Sequence, residues 1–290
     1  MARRSRRSKI KRKLAKRQGA KGVTPLIKKY GIQRYDLLSR YDEGIELDEE
    51  GWFSVTPEEI AVRHAERSGG GVVIDCFAGV GGMPFNLPRC FLRCNHVVAI
   101  DLDPQKVALA FHNAKIYGVE NCIAFIVGDF FQLAPSLKGV VAFLSPPWGG
   151  PSYKMIQNFT LDLLMPKDGY LIFQVAQTIT PNIIMFLPRN VDVHQVEELS
   201  WLSSPPLDVE VEENYVQSNL KGITVYFGDA AFGQHGLTKM VYSSAVVQML
   251  QSENSEKGTT QRQGGLVHKV YNFARPSIGG NLKVETEFHM

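Results

Sequence analysis

Two clusters of residues have the types and spacing to do chemistry. The first is SPPWGGP, residues 145–151. Its two prolines remove two amide donors and stiffen the backbone, and its two glycines permit close approach and unusual torsions. Trp148 is thereby presented on a rigid loop with a bare backbone, which suits a flat ligand better than a core. The second cluster is DCFAGVGG, residues 75–82, followed by Asp101 and Asp129. A carboxylate at Asp101, 26 residues after Asp75, is placed to accept both hydroxyls of a ribose. Gly79, Gly81 and Gly82 form a glycine turn of the kind that serves dinucleotides, phosphates and S-adenosylmethionine alike. Asp75 discriminates among these. An acid just before the turn repels a pyrophosphate and attracts a cationic sulfonium amino acid. The turn also lacks the last glycine of GxGxxG. The residues favour S-adenosylmethionine over a nicotinamide cofactor, and with it methyl transfer.

The surrounding elements must bring these clusters together. VVIDCF (72–77), HVVAIDLD (96–103), CIAFIV (122–127) and VVAFLS (140–145) read as strands. PQKVALAFHNAKIYG (104–118) reads as a helix, with Pro104 early, Gly118 as its stop and an apolar face of Val107, Ala108, Phe111 and Ala114. IIMFL (183–187) reads as a further strand, 192–201 as a helix, and the stretches near 208–216 and 223–228 as a closing antiparallel pair. The alternation predicts an α/β fold with a doubly wound parallel sheet. Ligands bind such sheets beyond the carboxyl ends of the strands. Asp75, Asp101, Asp129, Ser145 with Trp148, and Arg189 all fall there. The charge-free stretch 170–188 carries Gln174, Gln177, Thr180 and Asn182, so it is expected to be a buried helix, turn and strand rather than a membrane span.

Composition bounds the partners. The chain has 290 residues, 44% of them hydrophobic, enough for one domain plus tails. Residues 1–30 hold 13 of the 32 Lys and Arg and no acid, leaving 19 basic residues against all 29 acidic ones. A basic arm on an acidic body points to a polyanionic partner or a nuclear import signal. Four cysteines without CxxC spacing, and no secretory leader, predict a reduced intracellular setting. No set of ligands is spaced for a metal. Residues 251–265 are polar, rich in small side chains and expected to be disordered.

SPPW at a strand end resembles the [D/N/S]-P-P-[Y/F/W] loop of amino methyltransferases. The amine of a heteroaromatic ring is a weak nucleophile, because its lone pair is delocalised. A loop oxygen and carbonyl can accept its hydrogens while the aromatic fixes the ring plane, so alignment is the main contribution. Together with YDEGIELDEEGWFSVTPEEIA, DCFAGVGG, VVAIDLDPQKVALAFHNAKIYGV, GDFFQLA, FLPRN and ITVYFGD, the loop makes residues 29–229 resemble the trimethylguanosine synthases.

The resemblance implies a Rossmann-like class I methyltransferase core over 68–229, a small N-terminal helical cap region over 24–67, a disordered basic arm over 1–23 and a partly disordered C-terminal extension over 230–290. It implies S-adenosylmethionine-dependent methylation of the N2 amine of 7-methylguanosine caps, on small nuclear and nucleolar RNAs, in the nucleus, nucleolus or Cajal bodies with a cytoplasmic fraction. Ribonucleoprotein proteins are expected at the arm. Trp148 resembles the tryptophan that stacks on the methylated guanine, and Ser145 and Pro146 the loop that receives the amine. Thr56, Asp75, Gly79, Gly81, Asp101 and Asp129 resemble the cofactor contacts, and Arg189 and Lys29 the holders of the cap triphosphate.

The chain departs from the family pattern in a few places. Met83 stands in place of an Asn, Pro84 and Pro88 fall where a first helix should run, Leu38 replaces a Phe, and Gly31 replaces an aromatic. These changes are expected to weaken the hold on the methionine moiety and remove stacking surface near the ligands. Two other readings fit the residues: a cap- or RNA-binding paralogue of reduced activity, and an amino methyltransferase for another substrate.

Overall fold

The computed structural model describes residues 31, 33–82, 96–232 and, for the backbone alone, 268–273. Along the chain, β1 is Val72–Asp75, β2 His96–Asp101, β3 Ile123–Val127, β4 Val141–Leu144 and β5 Ile183–Pro188. β6 is Val209–Val216, β7 Asn219–Phe227 and β8 His268–Phe273. They form one sheet in the order β3-β2-β1-β4-β5-β7-β6-β8. β1 to β5 pair in parallel, and β6, β7 and β8 join antiparallel. The strands and closing hairpin expected from the sequence are present. β8 comes from the extension, and no pattern in the sequence announced it.

Every residue of β4 and β5 is buried, as in strands covered on both faces. The pleat sends alternate side chains to two apolar clusters. Val73, Val141, Phe143 and Ile184 join one, and Ile74, Ala142, Leu144 and Ile183 the other. Helices α1 (Arg34–Leu37), α2 (Gly51–Ser54), α3 (Glu58–Arg67) and α4 (Pro104–Tyr117) precede α5 (Phe130–Leu133), α6 (Gly169–Gln177) and α7 (Val193–Ser200). α3 and α4 cover the first face through Ile60, Ala65, Ala114 and Tyr117. α6 and α7 cover the other through Ile172, Phe173, Val196 and Leu199. The charge-free stretch therefore divides into α6 and β5, and among the described residues no helix is long and apolar enough to cross a membrane.

α4 starts and stops where its punctuation predicts. The Asp103 carboxylate accepts the Gln105 N–H at 2.8 Å, and Gly118 ends the helix at φ 71°. Its buried face differs from the expected one. Ala110, Asn113, Ala114 and Tyr117 face inward, while Phe111 is exposed and packs on Phe125. Two polar side chains account for the rotation. Asn113 Nδ2 donates to the carbonyls of Glu46 (2.9 Å) and Val80 (3.2 Å), and its Oδ1 accepts the Glu46 N–H at 2.9 Å. Tyr117 donates to Glu58 at 3.0 Å. Fully hydrogen-bonded polar groups are tolerated in a core, and here they join the N-terminal helices to the sheet domain.

A second tie runs from α3 to the closing hairpin. Arg67 donates to both oxygens of Glu210, at 2.6 and 2.7 Å, and to the carbonyls of Ala230 (2.8 Å) and Ala231 (3.1 Å). Its guanidinium lies 3.9 Å from the centre of the Tyr226 ring. Arg63 donates to Glu212 at 3.1 Å. Removing one member of a buried pair strands the other. Arg67→Met is expected to lower the unfolding free energy by about 3–5 kcal/mol, and adding Glu210→Met to restore part of the loss, as read by urea denaturation.

Candidate active site

The carboxyl ends of β1 to β4 open into a cavity of about 490 Å³, within the roughly 300–1,000 Å³ usual for small-molecule sites. Asp75 ends β1 and is 2% exposed. Its Oδ1 accepts the Phe77 N–H at 3.3 Å. Burial pushes its carboxyl up to about 7, with the Phe77 N–H opposing the rise and Asp101 adding repulsion. Asp101 ends β2. Its Oδ2 accepts the Gly79 N–H at 2.8 Å and its Oδ1 the Asp103 N–H at 2.9 Å. A carboxylate oxygen carries two lone pairs, so both retain a site for a diol. Burial raises this carboxyl as well, against the pull of those two N–H groups and of Lys106. Asp129, after β3, caps α5 by accepting the Phe131 N–H at 2.9 Å. Gly79, Gly81 and Thr56 complete the sequence-derived donor-side set, and all of these line the cavity.

The N-terminal helices form one wall. Lys106 of α4 lies 2.7 Å from Glu50 and 3.5 Å from Asp48, so an ion pair closes the rim beside Asp101. Phe53, Leu102 and Phe131 add apolar surface, and Leu102 is 69% exposed within the open site.

Ser145, Pro146 and Trp148 leave the end of β4 and line the same cavity. Gly149 and Gly150 follow at φ 80° and 72°. Two consecutive left-handed residues reverse the chain straight after the indole, which accounts for the glycine pair. Trp148 is half-buried. Phe186 supports it at 5.3 Å between ring centres and Tyr153 meets it edge-on at 5.2 Å. Its Nε1 is buried with no hydrogen-bond partner among the described residues, so packing alone holds the ring.

Cations gather at the mouth. Lys154 and Lys221 line the cavity. Burial lowers the Lys221 ammonium below its ordinary value, Asp36 opposes that, and repulsion from Lys154 and Arg189 adds to it. Arg189 is exposed and lies beside the wall rather than in it. The antiparallel register sets Pro188 opposite Gly222, which brings Arg189 and Lys221 to adjoining positions. Lys29, Met83, Pro84 and Pro88 lie outside the described residues, as does the 251–265 segment.

The Leu38 expectation is corrected. Leu38 is 1% exposed in the core, and Leu37 is the neighbour that lines the cavity, so the missing phenyl is lost from packing rather than from the ligand wall. Gly31 accepts a hydrogen bond from Arg34 at 2.6 Å and lies off the cavity wall. Sequence reasoning missed Lys154, Lys221, Phe186 and the Lys106–Glu50 pair. The first stands six residues after Trp148 and was within reach. The others become neighbours of the site only through strand register or helix docking.

Residues 70–230 match the family model described as RNA cap guanine-N2 methyltransferase. A trimethylguanosine synthase of Schizosaccharomyces pombe is 36% identical over 215 residues, covering 71% of this chain and 87% of the relative. One from Saccharomyces cerevisiae is 31% identical over 250 residues, covering 79% and 73%. A solved putative methyltransferase from Porphyromonas gingivalis shares the fold, with a TM-score of 0.51 and 13% identity over 75% of this chain and 54% of that one. The matched stretch holds strands β1 to β7, the acid-and-glycine turn and the Trp148 loop in one piece, and on that footing the chain belongs to the RNA cap guanine-N2 methyltransferase family, enzymes dependent on S-adenosylmethionine.

Proposed function

We propose that the chain converts 7-methylguanosine caps of small nuclear and nucleolar RNAs to 2,2,7-trimethylguanosine by two successive methylations at N2. The observation that carries this reading is a single cavity with buried Asp75 and half-buried Asp101 at one end and Trp148 with Lys154 and Lys221 at the other. The names of the two yeast relatives support the product. The residues present suit the cofactor. An acid held near neutrality by burial gains most from a cationic amino-acid group, and Asp101 still has lone pairs for a ribose. S-adenosylmethionine supplies a methyl carbon made electrophilic by its sulfonium.

The chain's own residues then orient the acceptor. Trp148 stacks on the guanine, whose positive charge after 7-methylation favours an electron-rich indole. The Ser145 hydroxyl and the Pro146 carbonyl accept the N2 hydrogens and turn the nitrogen lone pair toward the methyl carbon. A cofactor held at Asp75 and Asp101 would give its methyl group to N2 with the thioether as leaving group, and the loop oxygens would pass the displaced N2 proton to water. Lys154, Lys221, Arg189 and Lys29 receive the triphosphate. Residues 1–30 extend the contact to RNA or to ribonucleoprotein proteins, and their basic run favours a nuclear location with nucleolar or Cajal-body residence.

Trp148→Ala is expected to cut kcat/KM on a 7-methylated cap dinucleotide at least a hundredfold, since stacking contributes about 1–3 kcal/mol per base and a desolvated cation adds about 2. Cofactor affinity measured by calorimetry should be unaffected; normal turnover by this variant overturns the role. The Asp75 carboxyl titrates near 7 in the empty fold against an ordinary 3.8. In the empty protein this acid therefore lowers stability as pH rises through that interval, and a bound cation reverses the effect. S-adenosylmethionine affinity should strengthen about tenfold from pH 5.5 to 7, and Asp75→Asn should leave it weak and flat across that range.

A further inference from the structure

Among the described residues the indole of Trp148 has no hydrogen bond to fix it, so its plane is set by packed neighbours. Tyr153 and Phe186 both pack on it, and of the two Phe186 is the one built into the sheet. It is 4% exposed and sits in β5 directly opposite Thr224 of β7. Its ring touches the indole at 5.3 Å on one side and His64 at 5.2 Å on another. His64 is fully buried and also meets Phe143 at 5.1 Å. A 2.7 Å hydrogen bond joins its Nε2 to the Thr224 hydroxyl oxygen, which also accepts Asn214 Nδ2 at 2.7 Å. Beneath the phenyl ring lies Gly222. A Cβ at that position would stand 2.6 and 2.7 Å from two carbons of the Phe186 ring and 2.8 Å from the Leu187 carbonyl oxygen.

We infer that Phe186 is a positioning residue for cap recognition, held between the bare backbone of Gly222 and the anchored His64, and that it sets the plane on which the guanine stacks. The inference rests on the reading of Trp148 as the guanine platform. Carbon atoms need about 3.5–4.0 Å, so a methyl group at 222 must displace the phenyl tip by about 1 Å. His64 is tied to Thr224 and cannot yield. The indole borders the open cavity and can. A displacement of about 1 Å in a positioning group is enough to cost on the order of a hundredfold in rate.

The test compares Gly222→Ala and Phe186→Leu with Trp148→Ala and the unmodified chain. Each is titrated calorimetrically with a 7-methylated cap dinucleotide and separately with S-adenosylmethionine, and cooperative thermal unfolding confirms folding. Gly222→Ala and Phe186→Leu should each weaken cap binding at least tenfold while cofactor affinity stays within twofold. In a Trp148→Ala background, adding Gly222→Ala should change cap affinity by less than twofold, because the two act through one plate. If Gly222→Ala fails to unfold cooperatively, Phe186→Leu decides in the same assays. Unchanged cap affinity in either folded variant, or an undiminished Gly222→Ala effect without the indole, overturns the inference while the stacking reading survives. Unchanged cap affinity in Trp148→Ala overturns both.

Discussion

The parallel pairing of β1 with β4 sets Asp75 opposite Phe143, two residues before Ser145. The rest of the site depends on that register. Successive strands on either side of this pair run outward in opposite directions through the sheet, so the crevice between the two carboxyl ends is not closed by a crossover. Both loops that leave it, the glycine turn and the Pro-Pro-Trp run, must enter the same space. A carboxylate that is costly to bury and an indole with a buried, unpartnered N–H therefore share one cavity. Neither is a good choice for stability alone. Each is tolerated because the strand leading to it is buried, β4 throughout and β1 over its last three residues.

Legibility in the sequence followed contiguity. Asp75 with its glycines, Asp101 at the next strand end and the SPPWGGP loop each carry their meaning within a few residues. Their convergence follows from the general behaviour of doubly wound sheets. Lys221 and Phe186 carry no local signal. Lys221 becomes a mouth residue only when β7 pairs antiparallel with β5, and Phe186 reads as one more apolar position in a buried strand. α4 shows the same limit. Its ends were written in Pro104 and Gly118, but its buried face was not, because Asn113 and Tyr117 turn inward to satisfy partners that lie 67 and 59 positions away in sequence. Leu38 teaches the converse: a position inferred to face the ligand lies one residue from the one that does.

The N-terminal helices are joined to the sheet by polar contacts as much as by apolar ones. Asn113 reaches the Glu46 backbone, Tyr117 and Ser39 converge on Glu58, and Arg63 and Arg67 engage Glu212 and Glu210 of β6. Directional contacts of this kind fix orientation, whereas apolar contacts alone permit sliding. Orientation matters here because the same helices contribute Thr56, Phe53 and Glu50 to the cavity wall.

β8 pairs with β6 along six residues, from Val209 to Asn214. β8 lies four strands along the order from β4, the strand that leads into the Trp148 loop. What it does is cover a row of backbone donors and acceptors that would otherwise invite pairing with another chain. A shorter protein ending near Ala231 would keep the residues named at the cavity and yet present the raw margin of β6 to its neighbours.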